Sequence, residues 1–382
     1  MPTNKLAFAL ISVAALGCKQ EYDIINEPVD VDPGDITECD FTRIDQTDYY
    51  RYDCNPVFQA TDEAWAGDIG SVGFHTSDVA GHPFYQIWYT ADATSGAAYE
   101  IGYAISGDGT NWDTHPNNPL IRATPGAWDQ DAMDALQVLW DEDESLYVMT
   151  YQGITLPTSD FDPGQWGIGV ATSDNGVSWS KHPANPVIDF NDPSVSATVS
   201  PCWPLTLTKQ GGNYISYVGG SDPFGSIFGG EPRCDVYTAV GNGLASWSFS
   251  ASPVLAGGAW YDAAGVLSAD VVQFEGTWYM FYVGFEDWTP TGQGGVITAT
   301  TPHVAVATSS DGVTWTKSPN NPLPLALVDG QGVGNISAEV VGERIHIWLG
   351  DEYPDIGNAI GYFLYDPHRD EVSEPADTGT AE

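Results

Sequence analysis

The apolar positions of this chain fall in short runs, not at helical spacing. Tyr147-Val-Met-Thr-Tyr151, Tyr214-Ile-Ser-Tyr217, Trp278-Tyr-Met-Phe-Tyr282 and Ile345-His-Ile-Trp348 are aromatic and β-branched, and glycine or acidic turns bound them. Such runs suit strands, where branched and aromatic side chains pack on a pleated surface. Little of the chain reads as helix. The pattern predicts an all-β protein.

The strands sit in a long repeat. Ala104-Ile-Ser-Gly-Asp108-Gly-Thr-Asn-Trp112, Ala171-Thr-Ser-Asp174-Asn-Gly-Val-Ser-Trp179 and Ala307-Thr-Ser-Ser-Asp311-Gly-Val-Thr-Trp315 are copies of one phrase, and Ala239 to Trp247 is a worn fourth. Their tryptophans recur every 67 or 68 residues. A fixed period of this kind means copies of one supersecondary unit. Asn118-Pro119-Leu120, Asn185-Pro186-Val187, Ser252-Pro253-Val254 and Asn321-Pro322-Leu323 follow in step, and Asn55-Pro56-Val57 is a fifth copy with no tryptophan phrase before it. Near the other end, Ala359-Ile-Gly-Tyr-Phe-Leu-Tyr365 matches the strand preceding Asp108. The chain therefore starts late in one unit and ends by supplying the rest of it. Three or four strands per unit and five units predict a five-bladed β-propeller whose termini share one blade. Four near-equal copies of Asp-Gly-x-x-Trp cannot all be one active site. Asp accepts backbone N–H groups within a turn and Gly tolerates positive φ, so these phrases read as staples. His115 and His182, at matching places before Asn-Pro, read as structural for the same reason.

The repeat overrides length as a guide to domain number and assigns residues 48–367 to a single propeller. Residues 1–17 read as a secretory signal, with Lys5 followed by an apolar run from Leu6 to Leu16. The run ends in Ala15-Leu-Gly-Cys18, which resembles a bacterial lipobox and implies lipidation of Cys18. Residues 18–47 then form an acidic, lipid-anchored tether, and 368–382 an acidic tail expected to be disordered. This address predicts a cell-envelope protein, lipid-anchored on the bacterial outer membrane or secreted, with no membrane contact beyond the lipid. Cys39, Cys54, Cys202 and Cys234 remain to form disulfides in an oxidising compartment. Joining Cys39 to Cys54 and Cys202 to Cys234 is one pairing; spacing leaves the connectivity open.

The net charge of −41 narrows the partners. Phosphate backbones need a basic surface, so nucleic acid is excluded, and anionic glycans are disfavoured. Neutral glycans and cations remain. No motif demands a cofactor or metal, although an axial Ca²⁺ would suit the charge. Nothing calls for self-association, and a monomer is expected.

Tyr-Met-x-Tyr-x-Gly, Ile-Gly-x-Ala-Thr-Ser-x-Asp-Gly-x-x-Trp and Asn-Pro-Val together resemble the five-bladed propeller glycosidases of glycoside hydrolase families 43, 32, 68 and 130. The resemblance covers the whole folded part, and its motifs are those of the blades. It implies an axial site built from the innermost strands, with two carboxyl groups flanking a glycosidic bond. Asp68 in Gly67-Asp-Ile-Gly70 stands where the resemblance implies a base or nucleophile. Asp134 in Met133-Asp-Ala stands where it implies a supporting carboxylate, although the usual following proline is missing. In the third blade, Cys202 stands where a glutamate acid is expected. Asp192, Glu231, Asp262, Asp270 and Glu339 are the acids able to substitute, or to hold sugar hydroxyls. His75 is a further funnel candidate. Among the tryptophans near the mouth, Trp65, Trp128, Trp203 and Trp260, the last three are candidates to stack on sugar rings; Trp128 and Trp260 lie in matching Gly-Ala-Trp phrases. Two readings stand: a glycosidase acting on a neutral oligosaccharide, and a carbohydrate- or protein-binding propeller that lost the third-blade acid. A phosphorylase would need a basic pocket, for which Arg122, Arg233 and Arg344 are the candidates.

Overall fold

The computed structural model describes residues 39–59, 65–79, 81–92, 99–156, 164–196, 200–221, 233–290, 297–325, 333–353 and 357–369. Cys18, the signal and tether residues up to 38, Glu231 and the tail from 370 lie outside these. Residues Met1–Cys39 and Asp40–Glu382 form separate units.

The second unit is five antiparallel sheets arranged as a propeller. The first blade runs Asp68–Val79, His82–Asp92, Glu100–Ser106 and Asp113–Thr114. The second runs Ala132–Asp141, Leu146–Thr155, Gln165–Ser173 and Ser180–Lys181; the third Ser200–Gln210, Asn213–Ser221, Asp235–Gly241 and Ser248–Phe249. The fourth runs Gly265–Phe274, Thr277–Pro290, Ile297–Ser309 and Thr316–Lys317. In every blade the first strand is innermost, and each inner strand packs beside the next, the fifth beside the first.

The fifth blade is built from both ends of the chain. Val333–Val341, Arg344–Tyr353 and Gly357–Tyr365 come from the C-terminal side, and Tyr49–Tyr52 and Phe41–Arg43 complete the sheet. Tyr50 pairs with Leu364, and Phe41 with Tyr52. The propeller therefore begins at Phe41, not at residue 48, because three residues of the expected tether are its outermost strand. Asn55 shows why its Asn-Pro phrase had no tryptophan partner nearby. Its side chain accepts from the Tyr362 N–H at 2.7 Å and donates to the Tyr362 carbonyl at 3.1 Å. Asn118, Asn185 and Asn321 grip Tyr103, Val170 and Val306 in the same two-handed way within their own blades. An amide side chain presents one donor and one acceptor, as a peptide unit does, so it extends the sheet where the backbone turns away.

The tryptophan phrases are staples, as their repetition implied. Asp108 accepts from the N–H groups of Thr110 and Asn111, and Asp311 from those of Val313 and Thr314. In the second copy the acceptor is Asn175, which serves Val177 and Ser178, and not Asp174. The glycine after each has φ between 72° and 78°, a conformation a side chain would strain. The turns also join blades. The Gly176 carbonyl accepts from Trp88 Nε1 of the first blade at 2.8 Å, and that of Gly312 from the Tyr217 hydroxyl of the third at 2.7 Å. At the closing seam Trp348 stacks on Phe74, with centroids 4.1 Å apart and planes 7° off parallel. His115 and His182 each accept a backbone N–H through Nδ1.

His346 lies buried at this seam, bonded to the Tyr362 hydroxyl. Burial, with Arg344 adding to it, holds its imidazole down at about 3. In the unfolded chain the ring takes its proton near pH 6.5. The unfolded state thus binds more protons between about 6.5 and about 3, and acid lowers stability there by up to about 1.4 kcal/mol per pH unit. The acid-rich surface shifts stability too, so the difference between proteins isolates the histidine. His346→Gln should be less stable than wild type at neutral pH, and that gap should narrow as pH falls from about 7 to about 5. Urea midpoints of the two proteins across this window check it.

Candidate functional site

The inner strands share a defect at the same height. Their pairing with the second strand slips between Ile69 and Val72, Asp134 and Gln137, Pro201 and Trp203, Val266 and Ser268, and Val333 and Asn335. A bulge re-aims side chains and bends the strand. Five bulges around one axis open a cavity of about 360 Å³, lined from every blade. That is the size of a small-ligand site.

Its lining mixes apolar residues and glycines with neutral hydrogen-bonding side chains, Ser71, Gln137, Gln152, Ser268 and Asn335, and Trp203 is its aromatic ring. Asp134 is the carboxylate among the described lining residues, and no lysine or arginine is among them. Ala135, next to it on the bulge, has φ 47°, a left-handed conformation rare for a residue with a Cβ. Non-glycine residues persist there when their surroundings over-determine them, as at binding sites.

A directed hydrogen-bond chain fixes Asp134. Its Oδ1 accepts from the Thr90 hydroxyl at 2.9 Å, and Thr90 Oγ1 accepts from the Ser71 N–H at 2.7 Å. A hydroxyl has one proton, and Thr90 spends it on Asp134. In the 3.2 Å contact between the two hydroxyls Ser71 is therefore the donor, and Ser71 Oγ accepts from the Leu136 N–H at 3.0 Å. Thr90 and Ser71 are both buried. Each proton in the chain points toward the carboxylate. Gly70 makes room for this: a Cβ there would stand 2.6 Å from Thr90 Oγ1 and 3.0 Å from Asp134 Oδ1.

Of the candidates named from sequence, the structure brings Asp134 and Trp203 to the cavity. Asp68 opens the first inner strand, paired with Asp92 and one residue before the cavity-lining Ile69; its side chain lies outside the described residues. Cys202 is joined to Cys234, and Cys39 and Cys54 are disulfide-bonded as well. A disulfide sulfur carries no proton, so Cys202 leaves the third-blade position without an acid.

The other acids are engaged elsewhere. Asp270 Oδ1 and Oδ2 accept from Thr206, Ser337 and the Ala338 N–H, tying the third, fourth and fifth blades together below the cavity. Burial pushes its carboxyl up to about 6. Asp262 is fully buried, held by the Gly258 and Ala259 N–H groups, Tyr282 and Lys317. Asp129 has the same partners in the second blade, Tyr151 and Lys181. Asp192 is exposed and accepts from Ser194 at the short helix Pro193–Ser196. Glu339 lies 3.4 Å from His75 Nδ1, and His75 stacks against Trp140. Trp128 packs on Tyr151, and Trp260 stands exposed on the fourth blade. Arg122, Arg233 and Arg344 pair with Glu100, Asp235 and Asp366, so none supplies a basic pocket. No group of three or more metal-ligating side chains occurs among the described residues, and no helix among them is long and apolar enough to cross a membrane. Ser71, Thr90, Gln137, Gln152, Ser268 and Asn335 were not singled out from sequence. For Ser71, Ser268 and Asn335 a signal was available, because a small polar residue recurs at the bulge of those inner strands; Thr90 and Gln152 lie on second strands and carry no such mark.

The comparisons with known proteins bear on the fold. A glycoside hydrolase superposes with a TM-score of 0.58 at 15% identity, covering 80% of this chain and 90% of that one. A glycosyl hydrolase from Bacteroides ovatus gives 0.53 at 17%, covering 80% and 86%. A β-1,2-mannobiose phosphorylase from Listeria innocua, in complex with β-1,2-mannobiose, gives 0.56 at 13%, covering 83% and 96%. The fold is the one these sugar-processing propellers share. No family model and no curated protein matches the chain.

Gly70→Ala tests the site's construction. The added methyl should push Thr90 and Asp134 apart and cost about 1–3 kcal/mol, the usual penalty of overpacking. Urea unfolding reads the loss; an unchanged midpoint would show that the Thr90–Asp134 contact is not a fixed part of the fold.

Proposed function

We propose that the axial cavity is a binding site for a neutral oligosaccharide on a glycosidase-like propeller. The observation that carries this is the lining: neutral amides and hydroxyls from the first, second, fourth and fifth blades, the Trp203 ring from the third, and an anchored Asp134. Sugar hydroxyls need many donors and acceptors, and a sugar face needs a flat apolar surface. Asp134 accepts ligand hydroxyls, held in place by Thr90. Glycoside hydrolysis in its usual form uses two carboxyl groups, one of them protonated. A disulfide-bonded cysteine, Cys202, stands where that acid is expected, which supports binding without hydrolysis. Nothing in the lining requires an axial Ca²⁺.

One observation favours the hydrolytic reading: Asp68 begins the strand that enters the cavity, where a base or nucleophile belongs. Calorimetry and reducing-end release on the mature chain, with neutral arabino-, xylo-, manno- and fructo-oligosaccharides, separate the two. The expected result is binding weakened about tenfold or more in Asp134→Asn, the scale of a lost hydrogen bond to a charged group. Reducing ends should not appear. Release that disappears in Asp68→Asn would replace the binding reading with a glycosidase.

The cell-envelope address is part of the same proposal, supported by the apolar leader and Ala15-Leu-Gly-Cys18. Cells expressing the chain should incorporate labelled palmitate into it, and Cys18→Ala should abolish the label. A wild-type protein that stays unlabelled and appears in the medium would mean ordinary secretion.

A further inference from the structure

The Gly-Ala-Trp phrases at Trp128 and Trp260 match in sequence but differ in use. In the first blade Trp65 stacks on Tyr89, and a Cβ on Gly102 would stand 2.6 Å from its ring. In the second, Trp128 stacks on Tyr151, and Cβ atoms on Gly153 and Gly169 would stand 2.1 and 2.8 Å from its ring. Gly102 and Gly169 are the residues paired opposite Tyr89 and Tyr151. Opposite the equivalent Tyr282 stands Ala305, whose methyl fills the seat an indole would need. At Gly284, the counterpart of Gly153, an added Cβ would stand 2.7 Å from the Tyr261 carbonyl oxygen and from Asp262 Cβ, and not against an indole. The buried acid also comes one residue later: Asp262 is two beyond Trp260, whereas Asp129 directly follows Trp128. Tyr261 therefore takes the buried place, and Trp260 is 60% exposed.

An exposed aromatic ring flanked by polar groups offers a ligand a flat apolar face and hydrogen-bond partners beside it. Here His303 meets the Trp260 ring at 4.8 Å and 74°, and His303 Nε2 lies 2.9 Å from Glu286 Oε1. The turn carrying Trp260 leads into the inner strand Gly265–Phe274, whose Leu267 and Ser268 line the cavity.

We propose that Trp260, with Glu286 and His303, is a distal sugar-ring subsite. The ligand is then a neutral oligosaccharide that runs from the axial cavity onto the rim of the fourth blade, and not a single sugar. Its ring stacks on the indole, and its hydroxyls bond the Glu286–His303 pair. This rests on the cavity reading and extends it.

Trp260→Ala and Trp128→Ala separate the two roles, since Trp128 is packed in the sheet. Calorimetry with di- and hexasaccharides of the same four series is the readout. Trp260→Ala should unfold like wild type, bind the disaccharide unchanged and bind the hexasaccharide about tenfold more weakly, the scale of an aromatic contact. Trp128→Ala should lose stability. N-bromosuccinimide should oxidise Trp260 first, and the hexasaccharide should protect it. If Asp134→Asn weakens binding while Trp260→Ala leaves the hexasaccharide affinity and oxidation unchanged, the distal subsite is wrong and the cavity reading stands. If no glycan of either length binds a folded protein, the cavity reading fails and this inference with it.

Discussion

Everything in this molecule depends on the closure of the ring. A blade alone exposes a sheet edge and an apolar face, and only a neighbour on each side buries both faces. The last junction cannot be made by consecutive chain. It is made by Tyr49–Tyr52 pairing with Gly357–Tyr365, by Asn55 gripping Tyr362, and by Trp348 stacked on Phe74. The segment that closes the ring is short, but its contacts span more than 300 positions in sequence. Such long-range pairing is rewarded late, after the loop entropy of the whole domain has been overcome.

Closure also creates the cavity. Inner strands in a ring converge, and side chains of ordinary size would fill the axis. The five bulges turn the backbone at a common height and leave space above the level where Asp270 knots three blades together. The two ends of the axis thus have different chemistry. Near Asp134 anchored polar groups line an open cavity; near Glu339 and His75 the polar groups pair with each other and with aromatic rings.

The repeat is a template on which individual blades depart. The second and fourth blades both bury an aspartate under a tyrosine and a lysine, Asp129 with Tyr151 and Lys181, and Asp262 with Tyr282 and Lys317. A buried charge is costly unless paired in this way, and the pairing fixes the loop leading into the next inner strand. One added residue, and a methyl at Ala305 where the first two blades have glycine, accompany the exposure of Trp260 where Trp65 and Trp128 are packed. Similarity between repeats therefore marks scaffold, and departures between them mark where function is to be sought.

What the sequence determined by itself is what depends on local periodicity and spacing. Strand runs, turn acceptors, the count of five and the sharing of a blade by the two termini all come from which residues recur and how far apart. The outer strand at Phe41 escaped, because three residues carry too little pattern to read, and so did the shift of one turn acceptor from Asp174 to Asn175. The tertiary structure decided which side chains share the cavity. Asp134, Asp262 and Asp270 look alike along the chain, each an acid in or just before an inner strand. A bulge at 134, a tight turn at 260–262 and an interblade knot at 270 send them to the cavity, the core and the seam. Those outcomes are set by groups far apart in sequence, such as Thr90, Lys317 and Ala338, and a hydrogen bond between them exists only once the ring has closed.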